Sequence, residues 1–346
     1  MKPAKRILFT VAIIISITAN LGATRLLEVQ AVDNQCLVLH YQDGFVEYNW
    51  DDTISGSCGG WDYYFTEDWW LCDDKDQYVA YGEPLDTDIT GEIQSFTLRS
   101  DRDVNYSSGS HPVTVYRKSK VWEASLDEQQ PAMHHWIYLE LPHPLKRGEK
   151  YTLEIAHGSN SDITKRSIRF NEHTITSPSI KISNTGYEAS APWKVADVYM
   201  WMGDGGERDF SRLNGTTWRL FDVDRGQDVY EGSLEFRMKN RTESGFEKDF
   251  TMADIWQCDF SGYNEPGNYR LVIEGIGCSQ PFEIGQNQFE LPFKTAMQGM
   301  FYQRMGCVDA PSGGFPKARR PLHKQGVEPE DFTVYISRKN MVTGTN

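Results

Sequence analysis

Short runs in which apolar and polar side chains partly alternate dominate the chain up to about residue 175: Glu92 to Arg99, Pro112 to Tyr116, Trp136 to Leu141 and Tyr151 to Ile155. Alternation with a period of two puts every second side chain on one face, the mark of a half-buried strand. Turn residues separate the runs and helical periodicity is missing, so residues 36–175 are predicted to form a β-sandwich-like domain. Within it, the stretch from Pro144 to Leu153 reads as a turn feeding an edge strand. Strand-like runs continue at Trp218 to Asp224 and Val229 to Gly232, joined by a polar turn. A hairpin is expected around Pro266-Gly267, with proline fixing φ and glycine accepting a positive φ before the return through Tyr269 to Ile273. Cys258 and Cys278 flank that hairpin, and an antiparallel return would make them paired or at least adjacent.

At Phe289 the period changes. Phe293, Ala296, Met297, Met300 and Phe301 fall at i, i+3, i+4, i+7 and i+8, the stripe of a helix that buries one face, with Pro292 in its first turn and Gly306 at its stop. The N-terminus has a different character. Lys2, Lys5 and Arg6 precede the uncharged run Ile7 to Ala23, which reads as a secretory signal peptide covering residues 1–31 if cleavage follows Ala31; cleavage after Ala23 and an uncleaved anchor are the other readings. Later stretches fall short of the roughly 20 apolar residues of a membrane span, so a secreted, extracellular or periplasmic product without membrane contact after leader cleavage is expected.

A length of 346 residues is too long for one ordinary domain, and 39% hydrophobic residues suffice for two or three packed cores. The formal net charge of −14 repels phosphates and excludes nucleic acid as a natural partner. Neutral ligands such as sugars are not disfavoured, and the 10 Trp could stack on pyranose rings. Trp50, Trp61, Trp69 and Trp70 crowd one acidic, Gly-rich stretch that is either a sugar-binding face or a set of half-buried structural side chains. The six cysteines show neither C-x-x-C spacing nor a neighbouring His cluster, so no metal or other cofactor is expected; Cys58 and Cys72 could close locally, leaving Cys36 and Cys307. His134-His135 reads as an isolated pair, and adjacent carboxylates such as Asp73-Asp74 and Glu330-Asp331 read as solvated charge.

Residues 179–286 resemble the immunoglobulin-like domain of glycoside hydrolase family 9, the cellulase-like endoglucanases. Ile180 to Tyr187 is similar to the family's opening strand and turn; Trp218 to Asp224, Val229 to Gly232, Asp259 to Ser261, Pro266 to Leu271 and Gly275 to Ile284 follow in the family's order. Phe301 to Cys307, and the loop holding Phe315 to Arg320 and His323, resemble the first helix and loop of the family's (α/α)6 catalytic barrel, so residues 287–346 are expected to be a truncated start of that domain. The resemblance implies a mainly β chain, hydrolysis of β-1,4-glucan in polysaccharide catabolism, and a β-glucan or related plant-type polysaccharide as partner. In the family an Asp of an Asp-Ala-Gly-Asp loop is the base and a distant Glu the acid of an inverting reaction, which needs two carboxyl groups roughly 6.5–9.5 Å apart. Gly59-Gly60-Trp61-Asp62 superficially matches the lead into that loop, but Tyr63-Tyr64 follows where Asp-Ala-Gly-Asp is required. No catalytic, cofactor-binding or metal residue is therefore assigned, and the chain alone is expected to be inactive. The alternative expectation is a non-enzymatic carbohydrate-binding or structural β-sandwich protein.

Overall fold

A computed structural model describes residues 23–47, 77–125, 130–240 and 248–303, with side chains as far as residue 300. The apolar leader run, the tryptophans at 50, 61, 69 and 70, the Gly59 to Asp62 motif, Cys58, Cys72, Cys307, both acidic pairs and the loop around His323 lie outside these residues.

The first domain is built from β1 (Arg25–Asp33), β2 (Cys36–Gln42), β3 (Gly44–Glu47), β4 (Gln77–Ala80), β5 (Phe96–Arg99), β6 (Thr114–Ala124), β7 (Pro131–Glu140), β8 (Lys150–Ile155) and β9 (Lys165–Arg169). A four-stranded sheet in the order β1-β2-β7-β6 faces a three-stranded sheet in the order β5-β8-β9, while β3 and β4 pair as a separate ribbon. Leu37, Leu39, Ile137 and Leu139 from the larger sheet pack with Phe96, Leu98, Tyr151 and Leu153 from the smaller. Inside this core Asp103, fully buried, accepts from the Tyr151 hydroxyl at 2.8 Å and from Lys146 Nζ at 2.8 Å. Burial works to raise the Asp103 carboxyl, but these hydrogen bonds outweigh it and hold the group below the usual carboxylate range.

Three expectations change here. The Tyr151 strand is the centre of its sheet and not an edge, because β5 and β9 pair on either side of β8. The runs at Pro112 to Tyr116 and Trp136 to Leu141 are parts of a long hairpin, β6 with β7. A leader reaching Ala31 would remove most of β1, whose Ala31 and Val32 are fully buried and which pairs with β2 along its length. Thr24, just before β1, is tied by its backbone N–H to Asn160 O at 2.8 Å and by its hydroxyl to Glu83 O at 3.1 Å.

The second domain continues with β10 (Ile180–Lys181), β11 (Tyr187–Glu188), β12 (Val195–Val198), β13 (Thr217–Asp222), β14 (Gln227–Ser233), β15 (Glu235–Met238), β16 (Ile255–Asp259), β17 (Gly267–Ile273), β18 (Gly277–Cys278) and β19 (Phe282–Gly285). One sheet runs β10-β12-β16-β15; the other runs β11-β19-β17-β13-β14, with β18 also on β17. Strict alternation in Thr217 to Asp222 sends Trp218 and Leu220 inward against Ala196, Val198, Trp256 and Phe260 of the facing sheet and its flank. The polar turn predicted between the two strands joins β13 and β14, which pair antiparallel.

The hairpin expected at Pro266-Gly267 does not form. β16 pairs with β12 and β15, whereas β17 pairs with β13 and β19, so the chain between them crosses from one sheet to the other. Cys258 and Cys278 therefore lie on different sheets, and both are free and buried, as is Cys36. Burial raises both thiols, which suits inert core side chains. Gly267 does not take the positive φ predicted for it; its own Cβ would instead fall 2.7 Å from the Tyr269 hydroxyl, so close approach selects glycine.

The chain ends its described part in α1 (Glu290–Gln303). Of the apolar stripe, which must either rest on a neighbour or stay exposed, Phe293, Met297 and Met300 are exposed. Its first turn is held by a Glu290–Lys294 pair and by the Thr295 hydroxyl donating to Leu291 O at 2.9 Å. Among the described residues no helix is long and apolar enough to cross a membrane.

Candidate functional site

The two sandwiches are fused through one face of the sheet β1-β2-β7-β6. Alternate residues point away from the first core, and of these Cys36, Val38 and Tyr138 enter the core of the second domain, with Tyr116 packed beside them. The fully buried Asp33 carboxylate accepts from Arg208 Nε at 2.8 Å and Nη2 at 3.2 Å, and from Arg212 Nη2 at 3.0 Å. Arg208 Nη1 also donates to Glu140 Oε1 at 2.9 Å. The hydroxyls of Ser177 and Ser179 both donate to Val32 O, at 2.9 and 3.0 Å. Gly203 sits at φ +71°, and a Cβ there would lie 2.1 Å from Arg117 O, so the close seam requires glycine. A joint this dry and bonded holds the two domains as one body.

The open edge of the second sandwich carries a concavity. The chain leaves one sheet at the end of β14, buries Leu234, and enters the other as β15, and the step between the sheets leaves a groove of about 580 Å³. Its floor is the buried Trp218 indole, anchored by Nε1 donating to Ser233 O at 3.0 Å. Tyr230 and Phe236, both partly exposed, form aromatic walls, backed by Tyr263 at 5.5 Å and Trp256 at 5.4 Å between ring centroids. Glu231, Gln257 and Asp259 give the same groove acceptors and a donor for hydroxyl groups. Aromatic walls with a few convergent polar groups fit a neutral sugar by stacking and hydrogen bonding.

The carboxylates that line this groove are Glu231, Glu235 and Asp259. Glycosidic cleavage by acid and base needs one carboxyl raised so that it keeps its proton near neutrality. Among the described residues, hydrogen bonds or ion pairs hold Asp103, Glu154, Asp209 and Glu290 below the usual carboxylate range, and these four lie outside the groove. No group of three or more His, Cys, Asp or Glu among the described residues is arranged to hold a metal ion.

Sequence reasoning named none of the groove residues as a site, although Trp218, Val229 to Gly232 and Asp259 all fell within its strand readings. The signal available was Tyr230-x-Gly232 facing Phe236 across the sheet switch, which needs tertiary structure to interpret. His134-His135 is not an isolated pair. The two imidazoles leave opposite faces of β7: His135 takes Ser119 Oγ at 2.8 Å and lies 3.8 Å from Asp43, whereas His134 bonds His40 at 2.8 Å and stacks on Trp122 with centroids 4.6 Å apart.

Residues 175–278 match the family described as the cellulase N-terminal immunoglobulin-like domain. Two forms of endoglucanase D from Acetivibrio thermocellus are 41% identical to this chain over 81 residues, which is 23% of this chain and 13% or 12% of the relatives. The aligned part thus spans about an eighth of the length of those relatives. Among solved structures, a metagenome-derived glycoside hydrolase family 9 endoglucanase covers 38% of this chain and 22% of its own at 23% identity and TM-score 0.30. A second family 9 endoglucanase covers 36% and 20% at 24% identity and TM-score 0.26. Within residues 175–278, then, the chain is similar to the cellulase N-terminal immunoglobulin-like domain and, over 81 residues, to endoglucanase D.

Proposed function

We propose that this is an exported protein of the family 9 endoglucanase kind, acting on β-1,4-glucan or a related polysaccharide, in which the two β domains bind and position glycan without cleaving it. The observation that carries the reading is the immunoglobulin-like domain itself, matched over residues 175–278. The aromatic groove between β14 and β15 supports a glycan-contacting role for that domain. Hydrolysis would require the base and acid carboxyls of the family, and neither is matched by a family motif in this sequence. Export rests on the leader alone, since the free Cys36, Cys258 and Cys278 give no disulfide to support it. A cut after Ala23 is the boundary compatible with β1, and a mature N-terminus beginning at Thr24 is the expected mass-spectrometric result.

Affinity electrophoresis in gels containing hydroxyethyl cellulose tests the binding role. The full chain is expected to be retarded, and Tyr230→Ala combined with Phe236→Ala to abolish the retardation while leaving the thermal midpoint within a few degrees. Unretarded migration of the parent chain would refute a glycan-binding role for the groove.

The alternative, a purely non-enzymatic binding protein, is favoured by the same groove. It differs in having no hydrolase to serve.

A further inference from the structure

The face of β1-β2-β7-β6 that meets the second domain is only half covered by it. Cross-strand registers arrange this face in rows: Gln30, Val38, Tyr138 and Tyr116 form a row at the junction. The next row outward is Glu28, His40, Trp136 and Lys118, and beyond it lie Gln42, His134 and Lys120. Trp122 completes the open half and is 54% exposed.

Three lysines border that open half, Lys118 and Lys120 on β6 and Lys181 on β10, where Asp197 of β12 stands opposite Lys181. Lys118 Nζ stands 4.8 Å from the Trp136 ring centroid, and Lys120 Nζ stands 5.3 Å from that of Trp122. From the second domain, Lys181 Nζ lies 5.3 Å from the Tyr199 ring and donates to Pro178 O at 2.6 Å. Among the described residues the lysines with ion pairs are Lys146, Lys165 and Lys294, all elsewhere. Burial, and then a neighbouring ammonium, lower both Lys118 and Lys181: Lys120 acts on Lys118, and Lys118 acts on Lys181. Such like charges collected on a chain with 49 acidic against 35 basic residues call for an external anion. The carboxylate on this face, Glu28, stands at the far end of its row, 3.6 Å from His40 Nδ1.

A second observation points the same way. His134 is 5% exposed and spends Nδ1 on His40, while its Nε2 has no hydrogen-bond partner. A buried ring nitrogen left unpaired costs about 1–3 kcal/mol unless water or a ligand satisfies it.

The ligand must be compatible with the whole molecule as well as with the patch. A net charge of −14 opposes a densely charged polyanion, whereas a neutral chain bearing a carboxylate only here and there meets the lysines without that penalty. Trp122 supplies an apolar ring of pyranose size beside them. We propose that this open half-face binds a glycan with a neutral pyranose backbone carrying sparse carboxylates, the sugar ring meeting Trp122 and the carboxylate meeting Lys118, Lys120 and Lys181. It is a second site, separate from the groove at β14 and β15, and does not depend on it.

Affinity electrophoresis of the full chain in glucuronoxylan, and in the same polymer after reduction of its carboxyl groups, tests the assignment. Native glucuronoxylan should retard the chain and the reduced polymer should do so much less. Lys118→Gln with Lys181→Gln should weaken retention on the order of tenfold, from two solvent-screened charge contacts of up to about 1 kcal/mol each. Lys165→Gln on β9 should change nothing, and Trp122→Ala should reduce retention by an independent route. Circular dichroism melts confirm that each variant is folded. With the groove disabled by Tyr230→Ala and Phe236→Ala, no retention by native glucuronoxylan, equal retention by the reduced polymer, or unaltered retention on adding the two lysine changes would overturn the proposal.

Discussion

One sheet face in this protein is used in two ways. On the half nearest the second domain, Cys36, Val38 and Tyr138 are sealed into a shared core and Asp33 is clamped by two arginines. On the other half, from the next row outward, His40, Trp136, Lys118 and Trp122 build a polar aromatic surface in which Trp136 still packs against the shared core and Trp122 is exposed. Both halves come from the same strands in the same register, so the backbone does not distinguish them; the side chains do. Apolar and small residues at the junction permit dry packing, while lysines, whose ammonium groups resist burial, keep the outer half in contact with solvent. The contrast shows how one strand can carry a structural segment and a ligand-facing segment without any break in secondary structure.

The junction half should be the more sensitive to substitution, and the largest effect is expected at Asp33. Removing the carboxylate in Asp33→Ala leaves Arg208 without its bidentate partner in a buried setting, and such losses cost about 3–5 kcal/mol. Urea unfolding measures it, and a second transition would reveal that the domains have come apart. Gly203→Ala should cost less, about 1–3 kcal/mol, because it places a side chain at φ +71° against Arg117 O.

A reference from inside the first domain sharpens the contrast. Asp103→Ala strands the Tyr151 hydroxyl in the core, at a cost of about 1–3 kcal/mol. Because folding lowers the Asp103 carboxyl, its contribution is complete above about pH 5 and is lost as the pH falls through the unfolded and then the folded value. Asp103→Asn should therefore flatten the acid side of the stability profile below that pH, which denaturant titrations at pH 7, 5 and 3 would detect. The outer half marks the lower limit: Trp122→Ala and Lys118→Gln should each shift stability by less than about 0.5 kcal/mol. A larger loss at either position would mean that the open half is structural after all.

How much of this was legible in the chain depended on whether one face of each strand was polar. Thr217 to Asp222 alternates cleanly because one side of β13 is solvated, and it was read correctly from its pattern. The β6 and β7 hairpin was recognised only in part, since His134 and His135 are polar yet buried, and Tyr138 and Leu139 bury both faces in succession. Strand β1 was absorbed into the leader because Val29 and Ala31 suit the small-residue positions of a cleavage site, and only pairing with β2 identifies the segment as a strand. The cysteine pairing failed for a topological reason: Cys258 and Cys278 are near in sequence, but the crossing between β16 and β17 sends them to opposite sheets. Helix α1 was found from its 3.6-residue period, although that stripe is exposed and not buried. Neither candidate surface could be seen beforehand. The groove exists only where the chain changes sheets, and the lysine face requires strands from two domains.

The most direct test of the proposal that this chain positions glycan without cleaving it is reducing-sugar release. Purified residues 1–346, incubated with carboxymethyl cellulose and with a soluble mixed-linkage β-glucan, should release no reducing ends above a protein-free blank, at concentrations where gel retardation proves binding. Clear, protein-dependent release that survives repurification would contradict the account and place an acid and base pair within these residues.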